Sequence, residues 1–471
     1  MKLKNIGFCI VVLFCSFFVF AQETPGNTPN APNRRRLDPD EAVEMAVKNN
    51  LSLQQTTLNN EAKRRAAATP WNVFIPKVDV SSTLRRQNVV PELNVIDLSS
   101  AVPGGPVIPI GGGGPRWVLG AQLQASLGIN VGTFVGMKKT IAEYQAGRIS
   151  VEKARLELER DVRKAYFGML LAQARIGQLR ESFGNAERRA VSAQANYRAG
   201  LIPEVSMLQA QVARDNIRPE LDDAENNFKL AMAQFAMFLG LPYDSEFELV
   251  AQDEARFVPL DTEELISRAA ANNPNLEELR HTLSATKARR TEAFFNVYTP
   301  TLTLSYSKVP AFRGDPQKDR VSDFDRWRES TGAFSVTLSW RLNGFLPFTP
   351  EYQGVRALDD AVKALNLGIA QAVQGVETEA YSIILKLEKT RESVEAQKRT
   401  VELAERTLRL SEAAYRNGLK EFLEVRNDQD ALNQARLGAL NQNYDYLMGL
   451  LDLEYAIGAP FGSLGGRNLD E

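Results

Sequence analysis

Trp117-Val118-Leu119-Gly120-Ala121-Gln122-Leu123-Gln124-Ala125-Ser126-Leu127-Gly128-Ile129-Asn130-Val131 alternates: every odd-numbered residue is apolar, and from Gly120 every even-numbered one is Gly, Gln, Ser or Asn. Side chains of an extended chain point alternately to opposite faces, so a period of two predicts a strand with one apolar and one polar side. A later stretch repeats the pattern, with Phe334, Val336, Leu338, Trp340 and Leu342 set against Ser335, Thr337, Ser339 and Arg341. Val78 to Arg86 and Thr301 to Lys308 read as shorter partners. Each pair has about the 9 to 11 residues that a tilted strand needs to cross a bilayer, and Trp117 and Trp340 stand where interfacial anchors would. A soluble sandwich strand alternates in the same way, so these stretches alone leave both readings open.

Outward from the strands, the chain is one unit used twice. Leu37-Asp38-Pro39-Asp40-Glu41 returns as Leu260-Asp261-Thr262-Glu263-Glu264, Asn49-Asn50 as Asn272-Asn273, and Tyr197-Arg198-Ala199-Gly200-Leu201 as Tyr415-Arg416-Asn417-Gly418-Leu419. Each unit opens with a helix capped by Asp38 or Asp261, expected to run to about Thr69 and Asn296. After the strands a much longer helix is expected, about Lys138 to Ala199 and Pro350 to Asn417, roughly 100 Å each at 1.5 Å per residue. The second carries a near-heptad seam through Val355, Val362, Ile369, Val376, Ile383, Leu387, Val394, Val401 and Leu408. Past each Gly-Leu turn comes a helix of about half that length, Pro203 to Leu239 and Glu421 to Ile457, with Pro219 expected to kink or break the first. Two half-length helices laid end to end match one long helix, which suggests a wall of long and stacked short rods.

Lys2 and Lys4 ahead of the apolar run Ile6 to Phe20, with Ala21 before Gln22, read as a secretory signal peptide over residues 1–21. Both cysteines, Cys9 and Cys15, lie inside it, so the exported chain would have no thiol for a disulfide, metal or nucleophile. A formal net charge of -2 over the whole chain gives no reason to expect a nucleic-acid partner. Residues 22–36 read as a disordered lead, 37–259 as the first unit with strand pair 78–131 and tip turn 199–202, 260–460 as the second with strand pair 301–342 and tip turn 417–420, and 461–471 as a tail. No later stretch is apolar enough for a membrane helix, so membrane insertion would be by strands. Four strands cannot close a barrel, and open edges cannot sit in hydrocarbon. Several copies must pool their strands, and three copies give twelve with room for an aqueous lumen.

The order helix, strand pair, long helix, Gly turn and helix, used twice, resembles the TolC-like outer membrane efflux protein family over nearly the whole exported chain. The resemblance implies a mixed α and β membrane protein: a homotrimer with a long α-helical coiled-coil barrel in the periplasm and a transmembrane β-barrel of four strands per protomer in the outer membrane. It implies an exit duct for a tripartite efflux pump or a type I secretion system, with a periplasmic adaptor and an inner-membrane pump as partners, and no cofactor or enzymatic step. Trp117, Leu123, Leu127, Phe334, Val336, Leu338 and Trp340 would face lipid. Gly200, Leu201, Ile202, Gly418 and Leu419 match the tips that dock on the adaptor. Matching on Tyr415 and Gly418 places Lys420 at a basic gate-link position and Glu424 at the first position of an acidic ring; Asn427 falls at the second, and Ser206 stands where the family has a link carboxylate.

Other constellations do not assemble chemistry. His281 is the one histidine, sits within a helix of the second unit and reads as structural, and with no thiol in the exported chain no transition-metal ligand set assembles. Gly111 to Gly114 lacks the Lys-Ser/Thr of a phosphate loop and reads as a strand-pair loop. Arg313-Gly314-Asp315 occupies the equivalent second loop and reads as a chance tripeptide in a charged turn. The alternative function is a secreted coiled-coil scaffold or fibre, which would have no use for lipid-compatible alternation ending in tryptophan.

Overall fold

The computed structural model describes residues 35–89, 95–97, 106–109, 116–250, 256–417 and 419–464. The expected signal peptide, most of the lead, the Gly111 to Gly114 loop and Gly418 lie outside these residues. At the end of the lead, Arg35–Leu37 forms β1, which pairs in parallel with β6 (Phe247–Leu249), so this basic stretch is strand where composition suggested disorder. Tyr166 fixes that small sheet to the wall. Its fully buried hydroxyl has one proton to share between the carbonyls of Leu37 at 2.7 Å and Val250 at 2.8 Å, and accepts from Val250 N–H at 2.9 Å. Desolvation raises the phenol's pKa to about 12, so it stays a donor.

Each unit opens with two helices where periodicity suggested one. Asn50 separates α1 (Pro39–Asn49) from α2 (Leu51–Ala68), and Asn273 separates α5 (Thr262–Asn272) from α6 (Pro274–Tyr298). Both asparagines are extended and cap the following helix: Asn50 Oδ1 accepts from Ser52 and Leu53 N–H, and Asn273 Oδ1 from Asn275 N–H. Their Nδ2 groups donate to Phe238 O and Ala456 O, both at 3.1 Å. Those carbonyls end α4 (Glu204–Phe238) and α8 (Phe422–Ala456), so a short helix from the turn end abuts one from the strand end in each unit. Gly240 and Gly458 close the joints with φ of 74° and 64°; a Cβ there would lie 2.5 Å from Asn49 O in the first joint and closer still to Asn272 O in the second.

The continuous rods are α3 (Val131–Arg198, 68 residues) and α7 (Pro350–Arg416, 67 residues), about 100 Å each. α3 begins earlier than expected because Asn130 and Thr133 form a reciprocal cap, 2.8 and 3.2 Å, which moves Val131 from strand to helix. α4 runs through Pro219, which is exposed, so water can satisfy the carbonyl left without its N–H partner. At the turn end α3 packs between α4 and α8; at the strand end it packs between α2 and α6, with α7 beyond α8 and α6. Val376, Leu387, Val394 and Leu408 of the heptad seam are buried, and Ile384 is fully covered beside the seam's Ile383, which packs at the margin. Past α8, Phe461 and Leu464 of the expected tail join the core, held by Gly462 and Leu464 N–H donating to the buried Glu454 carboxylate at 2.9 and 2.8 Å. Burial raises the Glu454 pKa, against those bonds.

The strands form one antiparallel sheet in the order β2 (Lys77–Arg86), β5 (Trp117–Ile129), β7 (Thr301–Phe312), β8 (Trp327–Ser339). A separate two-strand ladder pairs β3 (Val95–Asp97) with β4 (Val107–Pro109). α3 and α6 lie close under the sheet, where a Cβ at Gly132 would collide with Asn296 Oδ1, and the ion pairs Lys139–Glu292 (2.8 Å), Arg289–Glu143 (2.6 Å) and Lys153–Glu278 (2.9 Å) lace them together.

Candidate functional site

Register decides what the sheet presents. Val78 lies opposite Ala125, which lies opposite Tyr306, which lies opposite Phe334. Likewise Leu127, Leu304 and Val336 form one row, and Ile129, Leu302 and Leu338 another. Directly paired residues share a face, so the apolar alternations of all four strands coincide on one side. The opposite side carries Ser126, Ser305 and Ser335 in one row, with the two Oγ atoms of Ser305 and Ser335 at 2.7 Å, and Gly128, Thr303 and Thr337 in the next. The apolar side is uncovered: Val80 is 76% exposed, Phe334 68% and Leu338 71%. Trp117 begins β5, opposite Arg86, whose guanidinium lies 5.9 Å from its ring centroid. The strand expected to run to Leu342 ends at Ser339, so Trp340 falls one past β8 and Leu342 starts a 3-10 turn, Leu342–Phe345.

A second exposed surface lies at the far end. Ala199 N–H donates to Ala195 O, Gly200 takes a φ of 74°, and Leu201 N–H reaches back to Asn196 O, so the chain reverses within a few residues. Leu419 N–H bonds Ala414 O in the same way in the second turn. The apical leucines project into solvent, Leu201 73% and Leu419 81% exposed, whereas Ile202 is half-buried against its hairpin.

Beside the second turn Lys420 is already engaged. Its Nζ donates to Asp428 Oδ2 at 2.7 Å and to Ser411 Oγ at 2.6 Å, and Ser411 also donates to the same carboxylate. This triad ties α7 to α8 inside one hairpin, over the apolar contact of Leu408, Val425 and Leu432. Lys420 therefore does not reach for Ser206 in the other hairpin or for Glu424, which is exposed in the first turn of α8, where a carboxylate suits the helix dipole. Asn427 is exposed one residue before Asp428. Asp428 was missed because its spacing from Lys420 spans a helix start, outside the usual helix-surface pairs. The Lys420 and Ser411 bonds hold the Asp428 pKa below its ordinary value. A depressed carboxylate contributes stability above its unfolded pKa and loses it as pH falls through the folded one. The protection factor for hydrogen exchange at the start of α8, taken against the intrinsic rate at each pH, should accordingly fall on acidification below the carboxylate range in wild type, and Lys420→Met should show the lower protection already at neutral pH.

His281 is half-buried on α6. In the Arg313-Gly314-Asp315 loop, Asp315 is half-buried and accepts from Gln317 N–H at 3.0 Å, while Asp319 pairs with Arg326 at 2.8 Å; the aspartate closes its own turn. Among the described residues no helix is long and apolar enough to cross a membrane, and no group of three or more His, Cys, Asp or Glu is placed to hold a metal.

Comparison with known structures gives the same architecture repeatedly. The outer membrane channel CmeC of Campylobacter jejuni is similar over 98% of this chain and 94% of its own, with 14% identity and a TM-score of 0.72. The outer membrane protein VceC of Vibrio cholerae aligns over 90% and 96%, with 15% identity and a TM-score of 0.67. The open state of the MtrE outer membrane channel of Neisseria gonorrhoeae aligns over 89% of both chains, with 17% identity and a TM-score of 0.63. No curated protein sequence matches. Residues 42–241, from α1 to the joint that closes the first unit, match the model of the outer membrane efflux protein family. The first unit thus matches that family's model, and the chain as a whole has the TolC-like fold of these outer membrane channels.

Proposed function

We propose that the chain is the outer-membrane exit duct of an efflux or secretion assembly, a passive channel and not an enzyme, working as a homotrimer. The observation that carries this is the two-faced sheet: the register collects the apolar residues of four strands on one uncovered side and leaves β2 and β8 as open edges. β2 and β8 run in opposite directions, so β8 of one copy can pair antiparallel with β2 of the next, and three copies close a twelve-stranded barrel without an edge in hydrocarbon. The apolar side then meets lipid and the serine, threonine and glutamine side lines a lumen. Rods about 100 Å long continue that lumen below the membrane. A scaffold or fibre accounts for the rods and leaves the uncovered sheet face without a purpose.

The turns around Gly200 and Leu419 fit docking sites for a periplasmic adaptor of an inner-membrane pump, because exposed leucines at a tip remote from the sheet have nothing in their own chain to cover them. Gly200→Val forces a β-branched residue into positive φ, and Leu201→Asp together with Leu419→Asp removes the apolar apex. Both variants should reach the membrane as oligomers at wild-type yield and lose most adaptor crosslinking and export. Unchanged export in both would make these turns simple helix ends. The duct itself is tested by membrane fractionation, heat-dependent oligomer migration and conductance of the purified protein in a planar bilayer; a monomer that stays in the soluble fraction sinks the proposal.

A further inference from the structure

The polar face of the sheet carries charge mostly of one sign. By register Lys77 and Arg85 of β2 and Arg328 of β8 lie on it, and Arg341 continues the alternation of Ser335, Thr337 and Ser339 just beyond β8. Among the ladder residues on that face Asp79 is the one carboxylate. All five side chains are exposed, and among the described residues none of the four cations is in an ion pair. The chain as a whole has a formal net charge of -2, so the face does not mirror the overall composition. Its remaining positions are chiefly Ser, Thr, Gln, Gly and Ala, which offer dipoles of no fixed sign.

We propose that this lining makes the barrel section of the duct prefer anions, so that its cargo is solutes of net negative charge. The inference rests on the duct reading above. Asp79 stands two residues from Lys77 and offsets it, but lies six residues from Arg85, about 20 Å along a strand. That is twice the Debye length of about 10 Å at 0.1 M salt, so Arg85 is uncompensated. Arg85 and Arg328 also sit on the two edge strands, which meet at every seam of a closed barrel. Threefold repetition would set six guanidinium groups around the lumen, and fixed charge of one sign on a pore wall concentrates the opposite ion.

Reversal potentials of the purified oligomer in planar bilayers under a KCl gradient test this, with Glu424→Gln in the background to remove the carboxylate matched to the periplasmic aperture. The expected result is preference for chloride over potassium. Arg85→Gln with Arg328→Gln should lower the permeability ratio at least twofold near 0.1 M and by less near 1 M. Ser307→Glu, which adds a carboxylate to the same face from β7, should shift it in the same direction, giving a second route if the double variant assembles poorly. Arg86→Gln, on the apolar face, should leave it unmoved. Potassium preference in the parent, or a ratio indifferent to both lumen changes, overturns the inference while leaving the duct standing. An oligomer that conducts no ion overturns both.

Discussion

Leu127→Arg will remove most of the outer-membrane oligomer, whereas Ser126→Arg, one residue away, will leave it near the wild-type level. Leu127 sits in a row with Leu304 and Val336, apolar across three strands, while Ser126 sits in the row of Ser305 and Ser335 on the other face. A cation within the hydrocarbon on the lipid side costs about 2 to 4 kcal/mol per copy, and on the lumen side stays in water. Summed over the three copies of the proposed trimer the penalty is roughly 6 to 12 kcal/mol, comparable with the whole stability of a typical domain. The measurement is the heat-modifiable oligomer band in isolated outer membranes, with total chain level as the reference. Equal bands for the two variants would mean that the sheet does not enter lipid, and loss of the Ser126→Arg band alone would mean that the faces are the other way round.

The second large effect is at the joints. Gly240→Ala and Gly458→Ala should each destabilise the helical wall by several kcal/mol, read as a lower thermal midpoint and loss of soluble yield on refolding. Two causes add: positive φ costs an L residue about 1 to 2 kcal/mol, and the new Cβ would press on the backbone carbonyl of Asn49 or Asn272, which cannot rotate away. Gly177→Ala is the matched control, since it lies within α3 with no neighbouring atom within 4 Å of where a methyl group would sit, and alanine should gain about 0.5 to 1 kcal/mol there. Joint variants as stable as wild type would show that α4 and α8 can shift along the wall without penalty.

Much of the fold was legible because its signals are periodic. The change from period two to the heptad seam marked strands and rods, and the doubled Leu-Asp, Asn-Asn and Tyr-Arg-x-Gly-Leu motifs exposed the repeat. The Asn-Asn pair was visible as a repeat and silent as a joint, since one extended residue hardly disturbs a helical pattern and its partners, Phe238 and Ala456, are nearly two hundred residues away. The matching Leu239-Gly240-Leu241-Pro242 and Ile457-Gly458-Ala459-Pro460 were the signal that could have revealed it. At the tip, motif matching found Lys420 and overlooked its carboxylate, because Asp428 is brought to it by the hairpin's packing and not by any local spacing.

The sheet also dictates an order of events during assembly. The β2–β5 and β7–β8 ladders join strands of one unit and β5–β7 joins the two units, and in the proposed barrel a β8–β2 seam would join two chains. Loop-closure entropy rises through the first two tiers, and the third depends on concentration, because it needs an encounter. A lone chain with its first two tiers complete still shows water an apolar face and two unpaired strand edges, a template for indiscriminate strand addition. On the duct reading, cells making this protein must hold it off such contacts between export and insertion, and overexpression should saturate that protection well before it exhausts the membrane.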